Sequence, residues 1–222
     1  MKLIVAGCFA AALPLTAHAA PGVEYRIGKG VHTGDIAIQA ASIVGAAGMR
    51  PHALRRVNAA LRAMPAALAA EARACGAAAQ GHPWGYTATF EKAVLSGAYL
   101  SVVFAKSTVC AGSPDFEKEV RVFSVADGKL VRPAVLVKTL SPASVLRPRR
   151  WRRELVSLED ATVEGMLDDT RAASGVHDDR CDFFLKNTVY RVWAEGLYLV
   201  LYPEFQQALS TCQREYVIRV AQ

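Results

Sequence analysis

Apolar residues between positions 51 and 75 recur at the spacing of an amphipathic helix. The intervals along this stripe are 3, 4, 3 and 4 residues, and its members are Leu54, Val57, Leu61, Met64 and Leu68. Pro51 stands at the first helical position, where a missing N–H costs little, and three arginines fall elsewhere on the helical wheel. We therefore expect a helix from Pro51 that Pro65 kinks or splits and that Gly76 and Gly81 end.

Runs of β-branched and aromatic residues predict strands on both sides of this helix. Before it, a Gly-rich lead over 21–34 precedes one alternating strand at 35–44. After it, turns that contain glycine separate four runs of an antiparallel meander, at 86–95, 99–109, 119–125 and 130–137. A second helical region is expected between 141 and 171, with a stripe of Trp151, Leu155, Leu158 and Thr162. Closing strands are predicted at 182–186, 189–194, 197–202 and 215–220.

The grouping of the strands indicates the fold class. Strands that come in clusters, rather than one to each helix, are typical of an α+β protein. We expect an antiparallel sheet meander with helices packed on one face, in a single domain over 20–222. The chain has 222 residues, of which 52% are apolar and 21% charged, and this composition excludes intrinsic disorder.

The first twenty residues have the pattern of a secretory signal peptide. Lys2 precedes an apolar run, and a small-residue site follows, so that cleavage is expected after Ala19. A lipid-attachment box at Cys8 is the alternative, but Cys8 comes too early in the leader, and an uncleaved anchor is a further alternative. We expect a mature chain in the periplasm, or alternatively secreted, with a net charge of +5 after the loss of Lys2 and no membrane-spanning segment.

The cysteine count supports an oxidising compartment. Once Cys8 is removed with the leader, an even number remains: Cys75, Cys110, Cys181 and Cys212. Two disulfides are the natural interpretation, and among the three possible pairings we favour neighbours in sequence, Cys75 with Cys110 and Cys181 with Cys212. A metal site or catalytic thiol is the alternative, but the chain has no CxxC motif and no Cys/His pair at ligand spacing.

No motif of a known catalytic site occurs in the sequence. The motifs GxSxG, SxxK and HExxH are missing, and the mature chain's four histidines are predicted to lie in loops or at a helix start: His32, His52, His82 and His177. The acids of 168–169 and 178–179 lack the alternating oxygen ligands of a calcium loop, and a solvated acidic loop is the simpler interpretation. We expect no cofactor, no metal and no catalytic residue.

The most concentrated feature is a basic segment at 147–153. It holds five arginines and one tryptophan within seven residues: Arg147, Arg149, Arg150, Trp151, Arg152 and Arg153. One interpretation is that Trp151 begins a core stripe while the arginines coat the solvent face of a helix. The other is a binding patch for a cell-envelope protein or an anionic polymer, since guanidinium groups form paired hydrogen bonds with acidic groups. Export makes nucleic acid an unsuitable partner.

Several short segments resemble a known extracytoplasmic domain. These are the run from Tyr99 to Phe104, the loop Cys110-Ala111-Gly112, the stretch 120–131 with its Asp127-Gly128-Lys129 turn, and the closing pair Asp182 to Leu185 and Glu195 to Pro203. They are similar to the domain of unknown function found in lysozyme-sensing anti-sigma factors and beside some peptidoglycan deacetylase domains. In that family an Asn-containing helix precedes the strands, and Asn58 occupies a comparable helix here.

The resemblance implies an α+β ligand-binding module of the envelope and not an enzyme. Two differences between this sequence and the family limit what the resemblance implies. The chain has no cytoplasmic sigma-binding segment, and the family's Gly-Ala-His loop is replaced by Cys110 to Ser113. Lysozymes are commonly basic, so a +5 protein would be repelled by one at long range.

Three functional hypotheses follow from the sequence. The first is a non-enzymatic binding module that docks a cell-envelope protein or an anionic wall component. The second is a periplasmic inhibitor or immunity protein against a cell-wall hydrolase or toxin. The third is an envelope hydrolase with an unrecognised site.

Overall fold

A computed structural model describes residues 22–110, 112–147, 154–175, 179–205 and 211–220. The strands within these ranges are β1 (Val23–Thr33), β2 (Ile36–Ala46), β3 (Gly85–Ser96), β4 (Tyr99–Cys110), β5 (Ser113–Ser124), β6 (Val189–Glu195), β7 (Tyr198–Glu204) and β8 (Tyr216–Arg219). The α-helices are α1 (Pro51–Ala78), α2 (Pro133–Leu140), α3 (Asp160–Ser174) and α4 (Asp182–Lys186).

The strands form two sheets. The larger has the order β1-β2-β3-β4-β5, and the smaller has the order β6-β7-β8. All neighbours are antiparallel except β2 and β3, which are parallel because α1 carries the chain from the end of one to the start of the other. The α+β class is therefore confirmed, and β3, β4 and β5 form the predicted meander.

Strand β4, which lies between β3 and β5, is buried on both faces. Leu100 and Phe104 belong to the core cluster beneath α1, whereas Val103 belongs to the cluster that β6 and β7 complete. Ser101 joins the second face to the smaller sheet, because its Oγ donates to the carbonyl oxygen of Ala194 at 2.9 Å. The larger sheet is thus covered by α1 on one face and by the smaller sheet on the other.

Helix α1 follows the predicted apolar stripe. Val57, Leu61 and Leu68 are buried against the sheet, and the helix ends at Ala78. The predicted break at Pro65 does not occur, and the helix is continuous through this residue. Packing of the stripe on both sides of the proline outweighs the one backbone hydrogen bond that Pro65 removes.

Side-chain amides complete the hydrogen bonding where β2 and β3 separate. The two strands pair only over Ile36–Ile38 on the β2 side. Beyond that point, Asn58 of α1 accepts the N–H of Ile43 and donates to its carbonyl, both at 2.8 Å. Gln39 similarly accepts the N–H of Phe90 at 2.9 Å. Two amides therefore satisfy backbone groups that a parallel ladder would otherwise pair.

Three predicted segments have a different secondary structure. The Gly-rich lead is the edge strand β1, paired with β2 over most of its length. The predicted strand at 130–137 makes one bridge at Leu130 and then becomes α2, because Pro133 begins a helix. The predicted strand at 182–186 is the short helix α4. A run of five residues is too short for its apolar pattern to distinguish a helix from a strand.

Two disulfides join neighbouring elements, and both predicted pairings are confirmed. Cys75 near the end of α1 is bonded to Cys110 at the end of β4, with Cα atoms 5.0 Å apart. Cys181, just before α4, is bonded to Cys212 near β8, with Cα atoms 5.5 Å apart. No helix in the described ranges combines the length and the apolar character needed to cross a bilayer.

Candidate functional site

The basic segment begins at the base of a hairpin-like connection. Leu146 bridges Leu158 in antiparallel fashion, and the Arg147 N–H donates to the Ser157 carbonyl at 2.9 Å. The returning chain is fixed in turn, since Val156 exchanges backbone hydrogen bonds with Tyr190 of β6. The chain is therefore attached to the core of the smaller sheet at Arg147, where the segment begins, and again at Val156, three residues after it ends.

The helix predicted between 141 and 171 is correct only for its final part. Helix α3 begins at Asp160, and before it Leu155 and Leu158 are buried on extended backbone. Spacings of three and four residues placed them on a helical stripe, but residues 155–158 are all buried, and this segment makes isolated bridges to Leu146 and Tyr190 instead of forming a helix. Arg149, Arg150, Trp151, Arg152 and Arg153 lie outside the described residues.

Arg147 has an anchoring role within the fold. Its guanidinium donates to the Lys186 carbonyl at 2.9 Å and contacts the Asp160 carboxylate, and its Nε lies 3.6 Å from Glu159. These contacts tie the start of the basic segment to the N-terminus of α3 and the end of α4. Of the six candidate binding residues, Arg147 is thus engaged by its own chain.

Two cavities flank the short helix α2, close to the base of this connection. One, of about 150 Å³, lies between α2 and the outer edge of β5, and its lining includes Val122, Leu130 and Arg132. The other, of about 500 Å³, lies on the opposite side of α2, and its lining includes Lys138 and Val145. The linings connect through the first turn of α2, so the two cavities belong to one surface.

This surface exposes aliphatic side chains next to cations. Leu130, Val135 and Val145 are 55%, 42% and 56% exposed. Arg132 and Lys138 are exposed between them, and neither has a carboxylate partner among the described residues. We call these five residues the α2 face. The sequence interpretation missed the α2 face because it assigned 130–137 to a buried strand.

A signal for the α2 face is present in the charge pattern. From Lys129 to Arg153 the chain has eight lysines and arginines and no acid. The rest of the chain has 18 Lys+Arg against 20 Asp+Glu, a net charge of −2. The whole positive net charge of the protein is therefore concentrated in one stretch of 25 residues, within which the arginine-rich segment is only the end.

Several other charged groups form ion pairs that join elements. Arg191 of β6 lies 2.6 Å from Glu204 and 3.6 Å from Glu119, which in turn lies 2.7 Å from Arg121. Burial acts to lower the pKa of Arg191, but the charges of Glu204 and Glu119 raise it above its ordinary value. This cluster lines a cavity of about 200 Å³ against α1. Its fixed cations and carboxylates neutralise one another, which is the arrangement of a structural network.

The acids and histidines considered as catalytic candidates are dispersed. Asp168 pairs with Arg171 at 3.2 Å, and Asp169 accepts the N–H of Arg219 at 2.8 Å, so both have structural contacts. His32, His52 and His82 are exposed, and His177 lies outside the described residues. In the part of the chain that the structure describes, no three His, Cys, Asp or Glu side chains form a group able to hold a metal ion.

Comparisons with known proteins give no assignment. No protein-family model matches the chain, and a search of curated proteins finds no match to it. The charge distribution and the contacts described above are therefore the basis for the proposed function.

Proposed function

We propose that this protein is a non-enzymatic binding module of the cell envelope, exported to the periplasm and cleaved after Ala19. It docks an anionic envelope component through the basic segment 147–153. The two disulfides fit an oxidising compartment. The segment 147–153, with five arginines in seven residues, is the densest group of basic residues in the sequence.

The observation that carries the proposal is the attachment of the chain on both sides of these arginines. Arg147 is held by Asp160 and the Lys186 carbonyl, and Val156 is held by Tyr190. Six residues, 148–153, connect Arg147 to Glu154, and four of them are arginines. The arginines therefore follow directly on one residue that the fold holds in place and precede another by only a few positions. Arginine also binds carboxylates and phosphates by paired hydrogen bonds.

The test is retention of the purified, disulfide-bonded protein by a pelleted envelope fraction. Changing Arg149, Arg150, Arg152 and Arg153 to Gln should reduce retention by at least about tenfold, since each lost contact with an anion removes on the order of a factor of five. The matched control changes four exposed arginines elsewhere to Gln: Arg26, Arg55, Arg62 and Arg73. Both variants lose the same charge, and the control should stay within about twofold of the parent protein.

Two outcomes would overturn the proposal. Equal losses in the two variants would mean that net charge, and not the basic segment, governs retention. Release of peptidoglycan fragments by the purified protein would establish the hydrolase alternative instead.

A further inference from the structure

The α2 face extends the basic segment with side chains that an anionic polymer alone would not need. Leu130, Val135 and Val145 are all more than 40% exposed and lie within sixteen residues of one another, whereas single exposed aliphatic residues are common on protein surfaces. They are interleaved with Arg132 and Lys138 on a stretch without acids. A ligand that only neutralises charge gives no reason for this apolar component.

We propose that the α2 face docks on the surface of an anionic phospholipid bilayer. The proposal rests on the proposed function and names the envelope component: lipid phosphates contact Arg132 and Lys138, while the three aliphatic side chains enter the boundary between headgroups and acyl chains. The mode is that of a protein lying on a membrane, in which apolar burial and attraction to anionic lipid act together.

The geometry supports contact with one continuous surface. On α2, Leu136 and Val137 are buried in the core, whereas Val135 and Lys138 are exposed. Lys138 and Val145 line the same cavity, and Leu130 and Arg132 line the one on the other side of α2. The two cavities thus place Leu130 beside Arg132 and Val145 beside Lys138.

The excess of positive charge favours lipid over an acidic protein. Protein interfaces are enriched in aromatic residues and depleted of lysine at their cores. The α2 face includes Lys138 and no aromatic side chain, and the stretch 129–153 has eight basic residues and no acid, while the exposed Glu154 that follows it lines the same cavity as Leu130 and Arg132. An anionic bilayer presents negative charge over its whole surface. Each basic residue near that surface contributes on the order of 1 kcal/mol to binding, which is about a fivefold change in affinity.

The test is flotation of the disulfide-bonded protein with vesicles. The parent protein should float with vesicles of phosphatidylglycerol and phosphatidylethanolamine in equal parts, but not with phosphatidylcholine vesicles. Changing Leu130, Val135 and Val145 to Ser should weaken binding by at least about tenfold, because the apolar insertion is lost. A control with Ile27, Val44 and Leu197 changed to Ser removes aliphatic groups of similar exposure elsewhere and should stay within about twofold.

The cations are tested separately. Changing Arg132 and Lys138 to Gln should weaken binding to the anionic vesicles by about thirtyfold, since two basic residues each contribute about a fivefold effect. The intact disulfides and an unchanged urea midpoint, measured for each variant, exclude a loss of folding as the cause.

The results separate the lipid proposal from the broader one. Retention by lipid-free peptidoglycan sacculi without vesicle binding would overturn the lipid proposal and leave the proposed function standing. The lipid proposal would also be overturned if the Ser variant of Leu130, Val135 and Val145 bound the vesicles as tightly as the parent protein. The α2 face would not then be the part of the protein that contacts lipid. A protein that binds neither the envelope fraction nor the vesicles would overturn both the lipid proposal and the proposed function.

Discussion

Lys106 shows how a buried charge holds this fold together. Its ammonium lies 2.6 Å from Glu71 of α1 and 2.7 Å from Glu117 of β5, and only 4% of the residue is exposed. Burial acts to lower the pKa of Lys106, but the Glu117 and Glu71 carboxylates outweigh it and raise the pKa above its ordinary value of 10.5. One side chain thereby joins β4 to the helix above it and to the neighbouring strand.

Replacing Lys106 with Met should lower the free energy of unfolding by about 2 kcal/mol at neutral pH, since two partly exposed carboxylates lose their partner. The pKa of Lys106 is higher in the folded protein than in the unfolded chain. The stabilisation by its ion pairs is therefore complete below the pKa of the unfolded chain and is lost as pH rises through the pKa of the folded protein. The difference between parent and variant should therefore narrow above pH 10.5.

Urea unfolding followed by circular dichroism measures this difference. Lys129→Met is the control, because the side chain of that lysine is 70% exposed and, among the described residues, pairs with Asp127 alone. A Lys106 variant as stable as the parent at neutral pH would contradict the assigned role, and so would a difference that is unchanged up to pH 11.

At the scale of elements, the turn after β5 depends on one close backbone contact. Gly128 has a φ of +68°, and a Cβ built there would lie 2.2 Å from the Ala53 carbonyl oxygen in the first turn of α1. Arg56 strengthens the same contact by donating to the Asp127 carbonyl at 3.0 Å. The turn therefore positions the start of α1, and it also leads the chain into the α2 face.

Gly128→Ala should lower the free energy of unfolding by about 3 kcal/mol or more, because left-handed strain adds to a backbone clash. Gly97→Ala is the matched comparison: its φ is +53°, but the space around it is open. That variant should lose only about 1 kcal/mol. Denaturant unfolding of the two proteins side by side measures the cost of the clash, and equal losses would show that Ala53 simply moves aside.

The sequence predicts these elements well where packing follows one period. Helix α1 has a regular stripe after Pro51, β3 alternates between buried and exposed residues over 86–91, and β4 is buried on both faces. The disulfide pairs were predictable because each joins neighbouring elements. Asn58 was singled out only by resemblance, since its contact with Ile43 depends on where β2 leaves β3.

The errors arise where a residue type has more than one physical use. The lead with Gly28 and Gly30 was not predicted as a strand, yet a Cβ at Gly30 would lie 1.8 Å from the Ile38 carbonyl oxygen, so glycine there allows β1 to pass close to β2. Pro133 begins a helix, whereas the predicted strand 130–137 ran through it. The α2 face could not be found because exposure of Val135 depends on tertiary packing, although the acid-free stretch 129–153 was visible.

At the scale of the whole molecule, each of two cores has its own disulfide. Cys75 packs in the core beneath α1 and is bonded to Cys110. Cys181 and Cys212 are both buried in the core of the smaller sheet. Sequence separations of 35 and 31 residues give loops of similar size, so the two crosslinks restrict the unfolded chain to a similar extent.

Replacing either cysteine pair with Ser should therefore lower the free energy of unfolding by a similar amount, about 3 to 4 kcal/mol. Denaturant unfolding of the exported protein and of the two double variants measures the losses. Thiol titration in denaturant should find no free thiol in the parent protein and none in either variant, because the remaining pair stays bonded and the proposed cleavage after Ala19 removes Cys8. A titratable thiol in the parent would contradict export with both pairs formed. If only one of the two double variants had a lower free energy of unfolding, the two cores would not unfold together. A disulfide in a core that opens separately cannot stabilise the other core.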